Sequence, residues 1–224
     1  MKKTLVIAHR GFHRDFPENT IEAFKTAMGI GVDGVEFDVQ ETADGQFVIH
    51  HDDDIGGRSI SSLTLAEIAV CRAGGGYRIP TLQEALEVLG SGLVLLVELK
   101  QVRSLEKFLS LLRGQVDPPF TVLVSFDATL IEKLALIAPD FPHAVIGEST
   151  STMHTAAAAR AGEFSQVRCD SVTDALVKEA RARGDLVFVR DGGEEEDLRR
   201  ALRCGIDVIM TDRPDVAIRE IRAL

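Results

Sequence analysis

A chain of 224 residues that is 45% hydrophobic and 27% charged can bury a full globular core, and it reads as a single domain spanning 1–224. A net charge of −10 argues against a nucleic-acid backbone as partner but leaves room for a phosphate-bearing small molecule at a locally positive site. No stretch approaches the roughly 18 apolar residues of a membrane span. The apolar run Leu5–Ala8 is cut off by His9-Arg10 too early for a secretory leader. Cys71, Cys169 and Cys204 lie far apart with neither metal nor disulfide spacing, so a reducing cytoplasm is the expected compartment.

Apolar, β-branched runs alternate with helix-period segments along almost the whole chain. Strands are expected near 4–9, 34–39, 93–99, 120–126, 143–147, 165–169, 186–190 and 206–211. Helices are expected near 19–30, 81–90, 104–113, 128–138, 151–161, 173–183, 194–204 and 214–223. Asn19 followed by Glu22 resembles a capping box, and Thr173 and Pro214 suit helix openings. Gly31, Gly114, Gly162, Gly184 and Gly205 sit where helices should stop. Eight strand–helix units in this length predict a TIM (β/α)8 barrel. The alternative is a doubly wound open sheet. Strand one, however, ends in His9-Arg10-Gly11-Phe12-His13 and not in a glycine-rich phosphate loop.

One segment breaks the rhythm. Thr42–Gln46 is a turn signal and Phe47–His51 is again extended, so Asp44-Gly45 reads as the tip of a hairpin after strand two. The returning arm would bring His50 or His51 beside the end of that strand. The two histidines face opposite ways, so one of them at most enters a site.

In a barrel of this kind the site lies at the carboxyl ends of the strands. Strand two carries Glu36 and Asp38 on one face, since residues two apart in a strand point the same way. Two close carboxylates raise each other's pKa unless positive charge sits between them. They mark either a metal site or a solvated face. Strand three ends in Glu98 and Lys100, again on one face; by itself that pair also fits an ion pair. Together Glu36, Asp38 and Glu98 supply all-oxygen ligation, which favours Mg²⁺ or Ca²⁺ over zinc. Arg10 and Lys100 add fixed positive charge, and His9 with His51 supplies a proton donor and acceptor near neutrality. These parts describe metal-assisted phosphoryl transfer with general acid–base catalysis. Asp52-Asp53-Asp54 reads as a solvated acidic turn, Gly74-Gly75-Gly76 as a flexible link, and Asp212 as structural.

Several motifs resemble the glycerophosphodiester phosphodiesterase family. They are Ala8-His9-Arg10-Gly11, Pro17-Glu18-Asn19-Thr20, Ala23-Phe24, Gly31 through Val39, Thr42-Ala43-Asp44-Gly45 and His51-Asp52. The match continues through Ile79-Pro80-Thr81-Leu82, Glu98-Leu99-Lys100, Ser125-Phe126-Asp127 and Thr211-Asp212-Arg213-Pro214, covering nearly the whole chain in order. The resemblance implies a TIM barrel of the phospholipase-C-like phosphodiesterase type. It implies His9 and His51 as the acid–base pair, Glu36, Asp38 and Glu98 as ligands of one divalent cation, and Arg10 and Lys100 as phosphate-holding groups. The implied reaction converts a small-molecule glycerophosphodiester to glycerol 3-phosphate and an alcohol, by way of a cyclic phosphate. Two alternatives stay open: a phosphodiester lyase that releases the cyclic phosphate, and a binding module without activity. The chain departs from the family pattern at two places. Only Asp53 to Arg78 separate His51-Asp52 from the Ile-Pro-Thr-Leu segment, and Phe188-Val189-Arg190-Asp191 replaces a Trp-Thr-Val-Asn strand end. Phe188 is then the expected apolar contact for the glycerol moiety, and Arg190 could add charge to the mouth.

Overall fold

The computed structural model describes residues 4–146, 152–153, 164–190 and 194–224. β1 (Leu5–Ala8) leads to α1 (Ile21–Ile30), and β2 (Gly34–Glu41) turns back through the hairpin arm β3 (Phe47–Ile49). A short excursion follows, with the ribbon β4 (Asp54–Ile55) and β5 (Arg58–Ser59) and the helical turn α2 (Leu65–Ile68), before α3 (Leu82–Leu89). The chain continues through β6 (Val94–Gln101), α4 (Leu105–Arg113), β7 (Thr121–Ser125), α5 (Ala128–Ile137), β8 (His143–Val145) and β9 (Thr152–Met153). It ends with β10 (Phe164–Arg168), α6 (Asp174–Arg183), β11 (Leu186–Arg190), α7 (Glu195–Arg203), β12 (Val208–Thr211) and α8 (Pro214–Ala223).

The parallel strands follow the order β8-β7-β6-β2-β1-β12-β11-β10. Parallel strands next to each other in sequence pair along β1, β2, β6, β7 and β8 and along β10, β11 and β12, and the first also pairs with the last, from Leu5 opposite Val208 to Ala8 opposite Thr211. That ring-like order belongs to a TIM barrel and not to a doubly wound open sheet. β3 runs antiparallel to β2, and β9 runs antiparallel to β10. The helix expected near 151–161 and the stop expected at Gly162 lie outside the described residues, apart from Thr152–Met153, which is strand. Among the described residues, no helix is long and apolar enough to cross a membrane.

Helix ends follow local chemistry, with two departures from expectation. Thr20, not Asn19, caps α1, its hydroxyl accepting from the Ala23 amide. Gly31 and Gly184 stop α1 and α6 in the left-handed region. Gly114 ends α4 in an ordinary right-handed conformation instead. The hairpin is as expected: the Thr42 amide donates to the Gln46 carbonyl at 2.8 Å, and Gly45 takes a φ of +68° at the turn.

Strand alternation divides the core in two. Val35, Phe37 and Val39 of β2 and Leu95, Val97 and Leu99 of β6 face outward and pack with Phe24, Leu86 and Phe108 of the helices. Ile7, Leu96, Phe188, Val208 and Met210, from four different strands, meet inside the barrel. On β2 the inward set is therefore Gly34, Glu36 and Asp38. Gly34 allows the barrel to close beneath the acids, since a Cβ there would lie 2.2 Å from the Val94 carbonyl oxygen and 2.6 Å from Ile7 Cδ1. Because the first obstacle is backbone, Gly34→Ala is expected to destabilise the fold by about 1–3 kcal/mol. Urea unfolding measures this, and an unchanged midpoint would refute the packing argument.

Candidate active site

The three acids come from two adjacent strands. Asp38 of β2 lies directly opposite Glu98 of β6, and Glu36 lies one inward step below on β2. Carboxylate oxygens of Glu36, Asp38 and Glu98 all fall within 4.8 Å of one another. Their residues are 3%, 0% and 7% exposed, so water screens their charge poorly. Burial, then the charges of Asp38 and Glu98, push the Glu36 carboxyl well above its usual range. Burial and Asp38 raise Glu98 likewise. Burial acts on Asp38 in the same direction, but Arg10, Lys100 and the Asn19 amide outweigh it and hold that group low. The solvated-face reading of Glu36 and Asp38 does not survive their burial.

Two cations meet these acids. Arg10 Nε lies 3.2 Å from Asp38 Oδ2, its Nη1 donates to Glu18 at 2.8 Å, and its backbone amide donates to Glu36 Oε2 at 3.0 Å. Lys100 Nζ lies 2.5 Å from Glu98 Oε1 and 3.3 Å from Asp38 Oδ1. Asp38 Oδ1 and Glu98 Oε1 are buried and make no well-formed hydrogen bond, so the Lys100 ammonium is the positive charge they meet. Buried, all-oxygen donors of this kind suit a hard divalent cation.

Backbone strain marks the same place. Among the described residues, Arg10 and Asn19 are the non-glycine residues with positive φ, at 54° and 56°. Each such conformation costs on the order of 1–2 kcal/mol. The Asn19 amide N–H donates to the Arg10 carbonyl at 3.0 Å. The Asn19 side chain donates to Asp38 Oδ2 at 2.8 Å and accepts from the Asp38 backbone amide at 3.3 Å. Asn19 is thus a site residue that the helix-cap reading missed. Its tolerance of the left-handed region was the available signal.

The histidines flank the acids. His9 Nδ1 lies 2.7 Å from Asp212 Oδ1, while Nε2 lies 3.9 Å from Glu36 Oε2. His51 Nδ1 lies 2.8 Å from Asp52 Oδ1. The loop that carries His51 is pinned by Gln40 Nε2, which donates to the carbonyls of His50 at 3.1 Å and Asp52 at 2.5 Å. The His50 amide donates to the Asp38 carbonyl at 3.1 Å. His51 is close enough for its charge to act on Asp38. Asp212, read from sequence as structural, instead touches His9 and a second histidine, His13, whose Nε2 is 3.1 Å from the same oxygen.

Phe188 is buried in the barrel interior and lines a cavity of about 30 Å³ together with His9, Glu36, Glu98, Arg190 and Met210. Asp52 bonds His51 and Asp54 accepts from the Gly57 amide, so the acidic turn is satisfied locally. Gly74–Gly76 forms a kinked turn, with Gly75 and Gly76 at positive φ of 69° and 87°.

Residues 9–216 match the glycerophosphoryl diester phosphodiesterase family. A glycerophosphodiester phosphodiesterase of Caldanaerobacter subterraneus subsp. tengcongensis is 32% identical over 98% of both chains. The crystal structure of a glycerophosphodiester phosphodiesterase from Agrobacterium tumefaciens str. C58 superimposes with a TM-score of 0.83 at 28% identity, covering 99% of this chain and 100% of the other. An Oleispira antarctica phosphodiesterase, solved in complex with the product sn-glycerol 3-phosphate, gives a TM-score of 0.82 at 25% identity over 98% of this chain and 97% of the other. With its barrel, its buried acids and this match along nearly its whole length, the chain belongs to the glycerophosphoryl diester phosphodiesterase family and is an enzyme of the phosphoric diester hydrolase class.

Proposed function

We propose that the protein hydrolyses glycerophosphodiesters to glycerol 3-phosphate and an alcohol, with one Mg²⁺ or Ca²⁺ held by Glu36, Asp38 and Glu98. The observation that carries this reading is the buried convergence of three carboxylates against two fixed cations, beside two histidines at the barrel mouth. Three acids against two bases leave the pocket short of positive charge, and a divalent ion reverses that sign. Such an ion, when bound, neutralises the phosphate and polarises its phosphorus–oxygen bonds. Arg10 and Lys100 hold the nonbridging phosphate oxygens. Phe188, in the wall of the small cavity, gives the glycerol carbons an apolar contact.

Proton transfer falls to His9 and His51. Each has a carboxylate at Nδ1, Asp212 for one and Asp52 for the other. A carboxylate that accepts from Nδ1–H fixes the tautomer and leaves Nε2 as the atom that exchanges protons. The neighbouring glycerol hydroxyl attacks phosphorus, and one histidine takes its proton. The other histidine protonates the departing alcohol. Water then opens the cyclic phosphate with the two roles exchanged. The tethered nucleophile gains the entropic advantage of an intramolecular step.

Excess chelator is expected to abolish turnover of glycerophosphocholine, and added Mg²⁺ or Ca²⁺ to restore it. Full turnover under chelator would remove the cation from the mechanism. His9→Ala and His51→Ala are each expected to lower kcat by about 10²–10⁴-fold. Steady-state kinetics test this, and a loss below ten-fold at either position would reject that residue as acid or base. Asn19→Ala removes the two-way clamp on Asp38 and is expected to weaken cation binding by about 10–100-fold. Titration of the protein with Ca²⁺ in a calorimeter measures it, and unchanged affinity would make Asn19 a purely structural residue.

A further inference from the structure

The His9 ring has two polar edges, and the proposed reaction uses only Nε2 for proton transfer. Its Nδ1 edge belongs to a second group of donors. One ring nitrogen each of His9 and His13 and a carboxylate oxygen of Asp212 lie within 4.8 Å of one another. Both rings approach the same oxygen, at 2.7 Å and 3.1 Å. The proposed reaction asks for one histidine on Asp212, and His13 is unused by it. His13 arrives by a local route: it lies four residues beyond His9, past the left-handed Arg10 and Gly11 that redirect the chain after β1.

Two imidazole nitrogens and one carboxylate oxygen make a different donor set from the all-oxygen group beside it. That mixture selects zinc-type transition metals, whereas Mg²⁺ and Ca²⁺ prefer oxygen alone. Zinc binds such atoms at roughly 2.0–2.2 Å, so the ligands of one tetrahedral ion stand about 3.3–3.6 Å apart. The observed separations need only small side-chain shifts to reach that spacing. The Asp212 side chain is 53% exposed, which leaves a solvent-facing side for a water as fourth ligand.

We propose that His9, His13 and Asp212 form a second cation site of the zinc type, and that filling it switches off phosphodiesterase activity. The inhibitory half rests on the role proposed for His9. A cation at Nδ1 takes the lone pair of that nitrogen, and the ring proton moves from Nδ1 to Nε2. A neutral ring ligated in this way carries its hydrogen at Nε2 and has no lone pair there to accept another proton. His9 therefore cannot cycle between base and acid. The ion also separates the ring from the Asp212 oxygen that fixed its tautomer.

The test uses the whole protein in excess Mg²⁺, which keeps the carboxylate group occupied. Zinc binding is measured by calorimetry without substrate, and cobalt is used as a spectroscopic probe of nitrogen ligation. The wild type is expected to bind one zinc ion under these conditions, and the cobalt form to show the visible bands of a nitrogen-ligated, low-coordinate ion. His13→Asn is expected to weaken zinc binding and zinc inhibition together, by at least about ten-fold, with zinc-free turnover unchanged. Equal zinc affinity and equal inhibition in His13→Asn would overturn the proposal and place zinc at the Glu36, Asp38 and Glu98 group. If no glycerophosphodiester is turned over, the phosphodiesterase reading and the inhibitory half fall together. The binding half is then decided alone by the zinc titration and the cobalt spectrum. His13-dependent binding that leaves turnover undiminished would overturn the inhibitory half only.

Discussion

The burial of three carboxylates on the inner face of β2 and β6 is the constraint on which the rest of the site depends. Ionised groups taken out of water cost several kcal/mol each unless they are paired or bound to metal. The fold meets this cost with neighbours drawn from several elements. Arg10 comes from the end of β1, Asn19 from the turn before α1, and Lys100 from β6 itself. Removing the acids would leave these groups without purpose. The acids in turn need the barrel, because only adjacent parallel strands in this register set Asp38 beside Glu98.

The strain at Arg10 and Asn19 follows from the same requirement. The chain must leave β1 and bring a guanidinium beside Asp38 while its own amide reaches Glu36. One extended strand end cannot do both. A left-handed residue at position 10 turns the amide toward one carboxylate and the side chain toward the other. Asn19 answers with a second left-handed residue whose amide group holds Asp38 on both its backbone and its side chain. The cost of two such conformations is small beside that of an unpaired buried charge. Strain at a binding site is then the expected compromise, not a flaw in the local sequence.

What was legible in the sequence was whatever depended on period and local chemistry. The alternation along Gly34–Val39 put Glu36 and Asp38 on one face, and the barrel turned that face inward. Asp44-Gly45 marked the hairpin because its turn needs a left-handed glycine at the tip. The excursion between Asp54 and Ile68 was not legible, since its strands have two residues each and its helix four, too short for any period to show. Asn19 was misread because asparagine suits both a helix cap and the left-handed region. The neighbouring Thr20 took the cap. Asp212 was read as structural and His13 was not singled out, for another reason. Their meeting depends on β1 pairing with β12, a contact between the two ends of the chain that no local pattern reveals.

The two histidines are held by unlike means. His9 sits at the end of a barrel strand, its side chain 14% exposed, so the pairing of β1 with its neighbours fixes its position. His51 is 34% exposed and lies on the loop after the hairpin arm. There the buried Gln40 amide, reaching out from β2 to the loop carbonyls, does the work that a ladder does for His9. One of the two proposed proton-transfer groups therefore rests on the barrel and the other on a single side-chain amide. The abbreviated segment after His51 fits that arrangement. With Gln40 gripping the carbonyls of His50 and Asp52, the loop that carries His51 is held without a long insertion.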